Sequence, residues 1–170
     1  MQEQTDLFGL PIPSTDKVFL TFVIIHILIA LVAVISGVVA MLSEKARGNH
    51  TLFGKIYVWA MLSSFLFVII LAVMRWPHNI HLLLIGFFAS GCAFAGYRIS
   101  KSGRKRWTRP HTILMGLSYI LLLTGFYVDN GRNLPFWNQF PQLFFWVFPS
   151  AVGIPIIIRV LATHPLNRTR

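Results

Sequence analysis

The chain has few charged residues, few acidic residues and a single cysteine. Only 12% of its 170 residues are charged, whereas roughly a quarter are charged in soluble globular domains. Five residues are acidic, and the sequence has none of the paired carboxylates that general acid–base catalysis uses. Cys92 is the one cysteine, so a disulfide within the chain is excluded. These absences argue against a soluble hydrolase and against a disulfide-stabilised domain.

Hydrophobic residues make up 55% of the chain and form five long apolar segments. A hydrocarbon core of about 30 Å needs roughly 20 helical residues, and in lipid the backbone must bond within its own segment. The sequence therefore predicts an all-α polytopic membrane protein with about five transmembrane helices. One transmembrane domain, residues 18–163, would follow a short extracytoplasmic segment, 1–17, and precede a cytoplasmic tail, 164–170. The segments are Val18–Leu42, Leu52–Met74, Ile80–Ile99, His111–Val128 and Phe140–Ala162.

The fifth segment contains Pro149, Gly153 and Pro155. Proline inside a helix removes one backbone hydrogen bond and clashes with the preceding turn. We therefore expect the fifth helix to be kinked or broken.

The net charge of +10 is distributed unevenly along the chain. Twelve basic residues lie at alternate ends of the predicted helices, against three on the other side. The positive-inside rule then predicts a cytoplasmic C-terminus and an outer N-terminus. The basic residues would face anionic lipid headgroups, which accounts for the charge without a nucleic-acid partner.

A short motif occurs twice, at the predicted cytoplasmic starts of the second and fourth helices. A His-Thr pair is followed in each copy by a glycine and a tyrosine, and the two copies are 61 residues apart. A duplicated hairpin would explain this pattern, with an axis along the membrane normal relating the two halves. The first four helices are accordingly predicted to form a two-hairpin bundle. The residues are His50, Thr51, Gly54 and Tyr57, and His111, Thr112, Gly116 and Tyr119.

The stretches His50–Tyr57 and His111–Tyr119 resemble a bacterial membrane family called domain of unknown function 2306. That family typically shows His-x-x-x-Gly at one helix start and His-x-x-x-Met, with Ser-Tyr shortly after, at another. The resemblance covers roughly Ala46–Asn130 and implies a helical protein of the bacterial inner membrane, without implying an activity. Thr51 stands where the family often has arginine. In architecture alone, the chain is similar to cytochrome b561-type four-helix haem proteins.

His50 and His111 are the first candidate site. Ligation of a b-type haem by two imidazoles needs two facing histidines on different helices, and these two lie at matching depth. Gly54 and Gly116, about one turn deeper, would leave room for the porphyrin, and Lys55, Arg106 or Arg109 would pair with its propionates. The alternative interpretation is that both histidines are interfacial or capping residues.

A second candidate site is predicted toward the outer face. It comprises His26, His78, His81 and Met74, and imidazole with thioether is a ligand set that suits copper. Helical spacing puts His26 about 12 Å into the membrane and His81 within the first turn of its helix, so their depths disagree. The alternative is that these histidines make polar contacts near the lipid headgroups.

Three functions remain open on the sequence. The favoured one is a haem b electron-transfer protein or subunit that exchanges electrons with a quinone or a partner subunit. The second is a cofactor-free accessory subunit of a larger membrane complex, or a homo-oligomer. The third is a small copper-handling protein that uses the outer histidines.

Overall fold

The computed structural model describes residues 5–7, 10–12, 16–44, 48–102 and 107–163. Five α-helices match the five predicted segments to within about one turn, and each is long and apolar enough to cross a bilayer. The chain is therefore an all-α multi-pass membrane protein in contact with lipid. The predicted tail, 164–170, lies outside the described residues. The helices are α1 Lys17–Leu42, α2 Asn49–Met74, α3 Ile80–Ser100, α4 Thr108–Asn130 and α5 Gln142–Thr163.

Short elements flank the helices. Two three-residue strands, β1 Thr5–Leu7 and β2 Leu10–Ile12, pair in antiparallel fashion ahead of α1. Two 3₁₀ turns, Gly131–Asn133 and Trp137–Gln139, connect α4 to α5. Segments of three residues are too short to show a hydrophobic period, so the sequence does not predict them.

Local features of the backbone and one side-chain cap explain where α1, α2 and α4 begin. The Asp16 carboxylate accepts a hydrogen bond from the Val18 amide at 2.8 Å and so caps the start of α1. Gly48 precedes α2 with φ +131°, a conformation that side-chain-bearing residues rarely adopt. Pro110 lies in the first turn of α4, where its missing amide hydrogen has no helical partner to lose.

The fifth helix is continuous, so the predicted break does not occur. Pro149 and Pro155 both lie inside α5, which runs without interruption from Gln142 to Thr163. Pro149 is one of the buried residues of α5. Packing against neighbouring helices and local adjustment of the backbone allow transmembrane helices to contain proline, which explains the difference.

The first four helices form the predicted two-hairpin bundle. Helix α1 packs along α2, α3 packs along α4, and the hairpins meet chiefly through α2 and α3. Helix α5 packs on α4, while α1 and α4 touch at only a few positions. We call the end of the bundle where α2 and α4 begin the basic end. Lys55, Arg98 and Arg159 are exposed at or near it.

Small residues let the helices approach closely in the middle of the bundle. Ala33 and Ala93 are fully buried and Ala89 is 2% exposed, on α1 and α3. They pack with Tyr57 and Met61 of α2 in one cluster. Close packing of this kind drives helix association in lipid, where the hydrophobic effect between helices is absent.

Glycines and bulky residues interlock where α5 meets α4. At each of three positions, a Cβ atom on the glycine would collide with the opposing side chain. Bulky groups on one helix therefore fill the space that glycine leaves on the other. The contacts are Ile157 at Gly116, Phe145 at Gly131 and Ile120 at Gly153.

Candidate functional site

Two histidines face each other across the hairpins at the basic end. His50 lies in the first turn of α2 and His111 in the first turn of α4, and both are half-buried. Their ring centroids are 6.4 Å apart and the ring planes meet at 79°. The two copies of the sequence motif thus meet at one place in the fold.

Each histidine is held by a backbone carbonyl of the preceding helix. His50 Nδ1 lies 2.8 Å from the Ala40 carbonyl oxygen, and His111 Nδ1 lies 3.0 Å from that of Gly96. A carbonyl oxygen only accepts, so the hydrogen is on Nδ1 in both rings. The neutral form of each ring then carries its lone pair on Nε2, the tautomer found in histidines that bind metal through Nε2.

The repeated hydrogen bond follows from the hairpin geometry. Ala40 lies in the last turn of α1 and Gly96 lies near the end of α3, next to the first turns of α2 and α4. A carbonyl oxygen has two lone pairs, so it can accept a hydrogen bond from a side chain in addition to any bond within its helix. A histidine in the first turn of the next helix can therefore bond to a carbonyl near the end of the preceding helix. The sequence does not indicate these two carbonyls.

The distance between the rings suits two ligands of one metal ion. An imidazole nitrogen lies about 2 Å from a metal that it binds, so imidazoles on opposite sides of one metal have centroids roughly 6 Å apart. The 6.4 Å between His50 and His111 agrees with that separation. The angle between the ring planes imposes no conflict, because each ring can turn about its own metal–nitrogen axis.

The two glycines of the motif have different surroundings. A Cβ atom on Gly54 would meet nothing within 4 Å, so space lies beside α2 one turn from His50. Gly116 instead packs against Ile157 of α5, and a Cβ there would lie 2.6 Å from two Ile157 carbons. The prediction that Gly116 leaves room for a porphyrin is therefore wrong. The absence of a side chain at Gly116 instead lets α4 pack closely against Ile157 of α5.

An aromatic ring lies beside the pair, and two basic residues are close to it in sequence. The Trp107 ring is 5.5 Å from the His111 ring, centroid to centroid, in an edge-on arrangement. Lys55 and Arg109 are exposed near the two histidines in sequence, and Arg106 lies outside the described residues. Trp107 is a neighbour that spacing alone did not single out. In the sequence, only the position of Trp107 just before α4 indicates that it lies near His111.

A hydroxyl cluster lies two helical turns deeper. Tyr57 Oη and Ser118 Oγ are 2.5 Å apart, and the Tyr119 hydroxyl donates to the Val34 carbonyl at 3.3 Å. The Tyr57 and Tyr119 rings pack with centroids 6.1 Å apart against Gly37 of α1. Beneath the histidines, Tyr57 and Ser118 therefore bond each other, and Tyr119 bonds the backbone of α1.

The outer candidates are not brought together. His26 Nδ1 lies 3.2 Å from Ser64 Oγ of α2, whereas the His81 ring packs 6.3 Å from the Trp146 ring of α5. His78 lies exposed in the turn before α3, and Met74 is the last residue of α2. Across the parts of the chain that the structure describes, no three His, Cys, Asp or Glu side chains group closely enough to hold a metal ion. The geometry thus does not favour the predicted copper set.

Comparison with known proteins found no match among family models, curated proteins or solved structures. The resemblance to the family called domain of unknown function 2306 therefore remains a prediction that rests on the two histidine motifs. The contacts of individual residues are the evidence on which a function is proposed.

Proposed function

We propose that the protein carries electrons within the membrane by binding b-type haem between His50 and His111. The observation behind the proposal is the pair of half-buried imidazoles, 6.4 Å apart, each with its Nδ1–H held by a backbone carbonyl. Ligation by two imidazoles is a recognised way of holding an electron-transfer haem.

The carbonyl contacts would prepare both rings for ligation. Donation from Nδ1 fixes the orientation of each imidazole and increases the basicity of its other nitrogen. Ala40 and Gly96 would therefore act as positioning groups through their backbone oxygens. His50 and His111 would hold the haem, which would supply exchange of single electrons.

The surroundings support a bound porphyrin at one side of the pair more than at the other. The space beside Gly54 would admit the edge of a flat ring, whereas the Gly116 side is filled by Ile157. Lys55 and Arg109 are exposed near the histidines in sequence and would pair with the propionates. The hydroxyl cluster around Tyr57 would limit how deep the group could lie.

We further infer that the chain lies in the bacterial inner membrane with its basic end in the cytoplasm. The exposed Lys55, Arg98, Lys101 and Arg159 support that orientation, because basic residues near helix ends are enriched on the cytoplasmic side. An electron partner would be a quinone in the bilayer or a second subunit.

The visible spectrum of the purified protein tests the proposal. Protein made with ample haem in the culture and purified in mild detergent should show a Soret band and, after dithionite reduction, sharp α and β bands. His50→Ala and His111→Ala should each remove most of the bound haem. His78→Ala changes an exposed histidine at the opposite end of the bundle and should leave the spectrum unchanged.

Substitution by methionine separates ligation from folding. His111→Met should retain some haem with altered bands and a higher reduction potential, because a thioether replaces an imidazole as axial ligand. A colourless wild-type protein would overturn the haem proposal and favour the accessory subunit, which would co-purify with other membrane proteins. Bound copper that His81→Ala abolishes would instead favour metal handling.

A further inference from the structure

Trp59 lies at an unusual depth for a tryptophan of a membrane protein. It is close to the middle of α2, about 4 Å from the helix midpoint at 1.5 Å per residue. The hydrocarbon core extends about 15 Å to either side of its centre, so the whole indole lies within it. The other four tryptophans lie at or near helix ends, where such rings normally contact the headgroups: Trp76, Trp107, Trp137 and Trp146.

The Trp59 indole has no acceptor for its N–H within the chain. The residue is 66% exposed on the outside of the bundle. Among the residues that the structure describes, none accepts a hydrogen bond from its Nε1. Acyl chains offer no acceptor either, and an unbonded N–H in hydrocarbon costs free energy. A protein surface that brings an acceptor would remove this cost, whereas lipid tails would not.

Ser63 provides an acceptor on the same face of α2. It lies about one turn after Trp59, and its hydroxyl likewise forms no hydrogen bond with any part of the chain that the structure describes. In those parts no side-chain nitrogen or oxygen is both fully buried and unbonded, so Ser63 Oγ is accessible from outside the bundle. The face therefore carries a donor and an acceptor one turn apart, which makes it complementary to a copy of itself.

The outer face of α2 is exposed along the whole helix. Its stripe recurs every seven residues, a spacing that lets two helices pack side by side over their full length. Trp59 lies two positions after Tyr57, about 200° around the helix, so the stripe is opposite the face that points into the bundle. Lys55 lies at the edge of the stripe, and its long side chain can reach the headgroups of the basic end. The stripe residues are Leu52, Trp59, Leu66 and Val73.

We propose that α2 packs against α2 of a second copy of this chain, in a dimer whose two-fold axis lies along the membrane normal. Trp59 Nε1–H of each copy donates a hydrogen bond to Ser63 Oγ of the other, which gives two equivalent bonds inside the bilayer. Both copies cross the membrane in the same direction, so the two helices are parallel and each stripe residue lies beside its own counterpart. His50 and His111 are inside each bundle and take no part in the interface.

Cysteine crosslinking in intact membranes tests which face is covered. In a Cys92→Ala background, which removes the one native cysteine, Leu66→Cys should form a disulfide-linked species of twice the chain mass on mild oxidation. Two counterparts on parallel packed helices come close enough for that bond. Leu28→Cys is the matched control, because Leu28 is similarly exposed on α1 and should give no such species.

Energy transfer between labelled chains tests the hydrogen bonds. Chains with Cys92→Ala and Ser102→Cys carry donor or acceptor dyes at an exposed position after α3, and they are diluted with lipid in liposomes. Trp59→Phe and Ser63→Ala should each raise the dissociation constant of the dimer about tenfold, as the loss of two interhelical bonds implies. The double variant should be no weaker than either single one, since both remove the same bonds. Trp76→Phe, at a residue 61% exposed just after α2, should leave the constant unchanged.

A chain that stays monomeric at every dilution would overturn the proposal. So would equal crosslinking of Leu28→Cys and Leu66→Cys, or a dimer that Trp59→Phe and Ser63→Ala leave unchanged. Crosslinking of Leu66→Cys to a polypeptide of another mass would assign the stripe to a different subunit and would also overturn it. Both readouts report association between chains, so they are independent of whether the protein binds haem.

Discussion

The Tyr57 and Ser118 hydroxyl oxygens lie 2.5 Å apart and join α2 to α4 across the middle of the bundle. Tyr57 is 2% exposed and Ser118 is fully buried. Each lies seven residues after its histidine, His50 or His111, which puts the pairs on the same helix faces. Both pairs therefore bring α2 and α4 together on the same helix faces, the histidines at the basic end and the hydroxyls in the middle of the bundle.

Removing one member of the hydroxyl pair should destabilise the bundle. Tyr57→Phe leaves the Ser118 hydroxyl without its partner, and we expect a loss of about 1–2 kcal/mol in the free energy of unfolding. Unfolding in detergent, followed by circular dichroism against added dodecyl sulfate, measures the loss. Tyr97→Phe is the control, because Tyr97 is a half-buried tyrosine outside the pair. An equal loss in both variants would contradict the prediction.

Gly37 should tolerate no larger side chain. A Cβ there would lie 2.6 Å from Tyr119 Cε2 and 3.1 Å from Tyr57 Cδ2, so the two rings would have to move. We expect Gly37→Ala to cost about 1–3 kcal/mol, as overpacking does. Gly91→Ala is the matched control, because nothing lies within 4 Å of a Cβ at Gly91. That variant should be neutral or slightly more stable, since alanine favours helix by up to about 1 kcal/mol.

The contact of Gly153 with Ile120 should show strong coupling between α4 and α5. Gly153→Ala introduces a collision with the Ile120 side chain and should lower the melting temperature in detergent. Ile120→Ala should also lower it, because it empties a buried position. In the double variant the new methyl group enters the space that Ile120 leaves. The melting temperature of the double variant should therefore fall by less than the sum of the two single decreases. Simple additivity would show that α5 does not dock as described.

Removing one member of the His26–Ser64 pair should destabilise the protein more than removing both. Ser64→Ala leaves the half-buried His26 ring without its 3.2 Å partner, at a cost of about 1–2 kcal/mol. His26→Leu combined with Ser64→Ala removes both polar groups and should cost less than Ser64→Ala alone. Chemical unfolding of the wild type, Ser64→Ala, His26→Leu and the double variant measures the order. A double variant that is less stable than either single one would indicate another role for His26.

The helices and their ends were predictable from the sequence because lipid imposes simple requirements. A segment of about 20 apolar residues must be helical, and its flanking charges and prolines show where it ends. The predicted segment Ile80–Ile99 differs from α3, Ile80–Ser100, by one residue at its end. Proline was the exception, since the rule for soluble helices predicted a kink or a break in α5, and the helix runs from Gln142 to Thr163 without a break.

The candidate site was only partly predictable. His50 and His111 stand at the starts of alternate helices, so their common membrane level followed from chain direction. Which way each residue points did not follow. Gly116 faces α5 and His26 faces Ser64, although spacing alone allowed other faces.

By itself, the sequence determined that this chain crosses the membrane five times and which side chains share an end of the bundle. Those properties depend on segment length, backbone hydrogen bonding and the order of the helices, which are local or one-dimensional. Only the tertiary structure decided the rotation of each helix, and with it the carbonyl contacts of His50 and His111 and the separation of His26 from His81. A helix that is apolar on every side has no hydrophobic stripe to show which face points inward, so close packing of small and large side chains makes that choice.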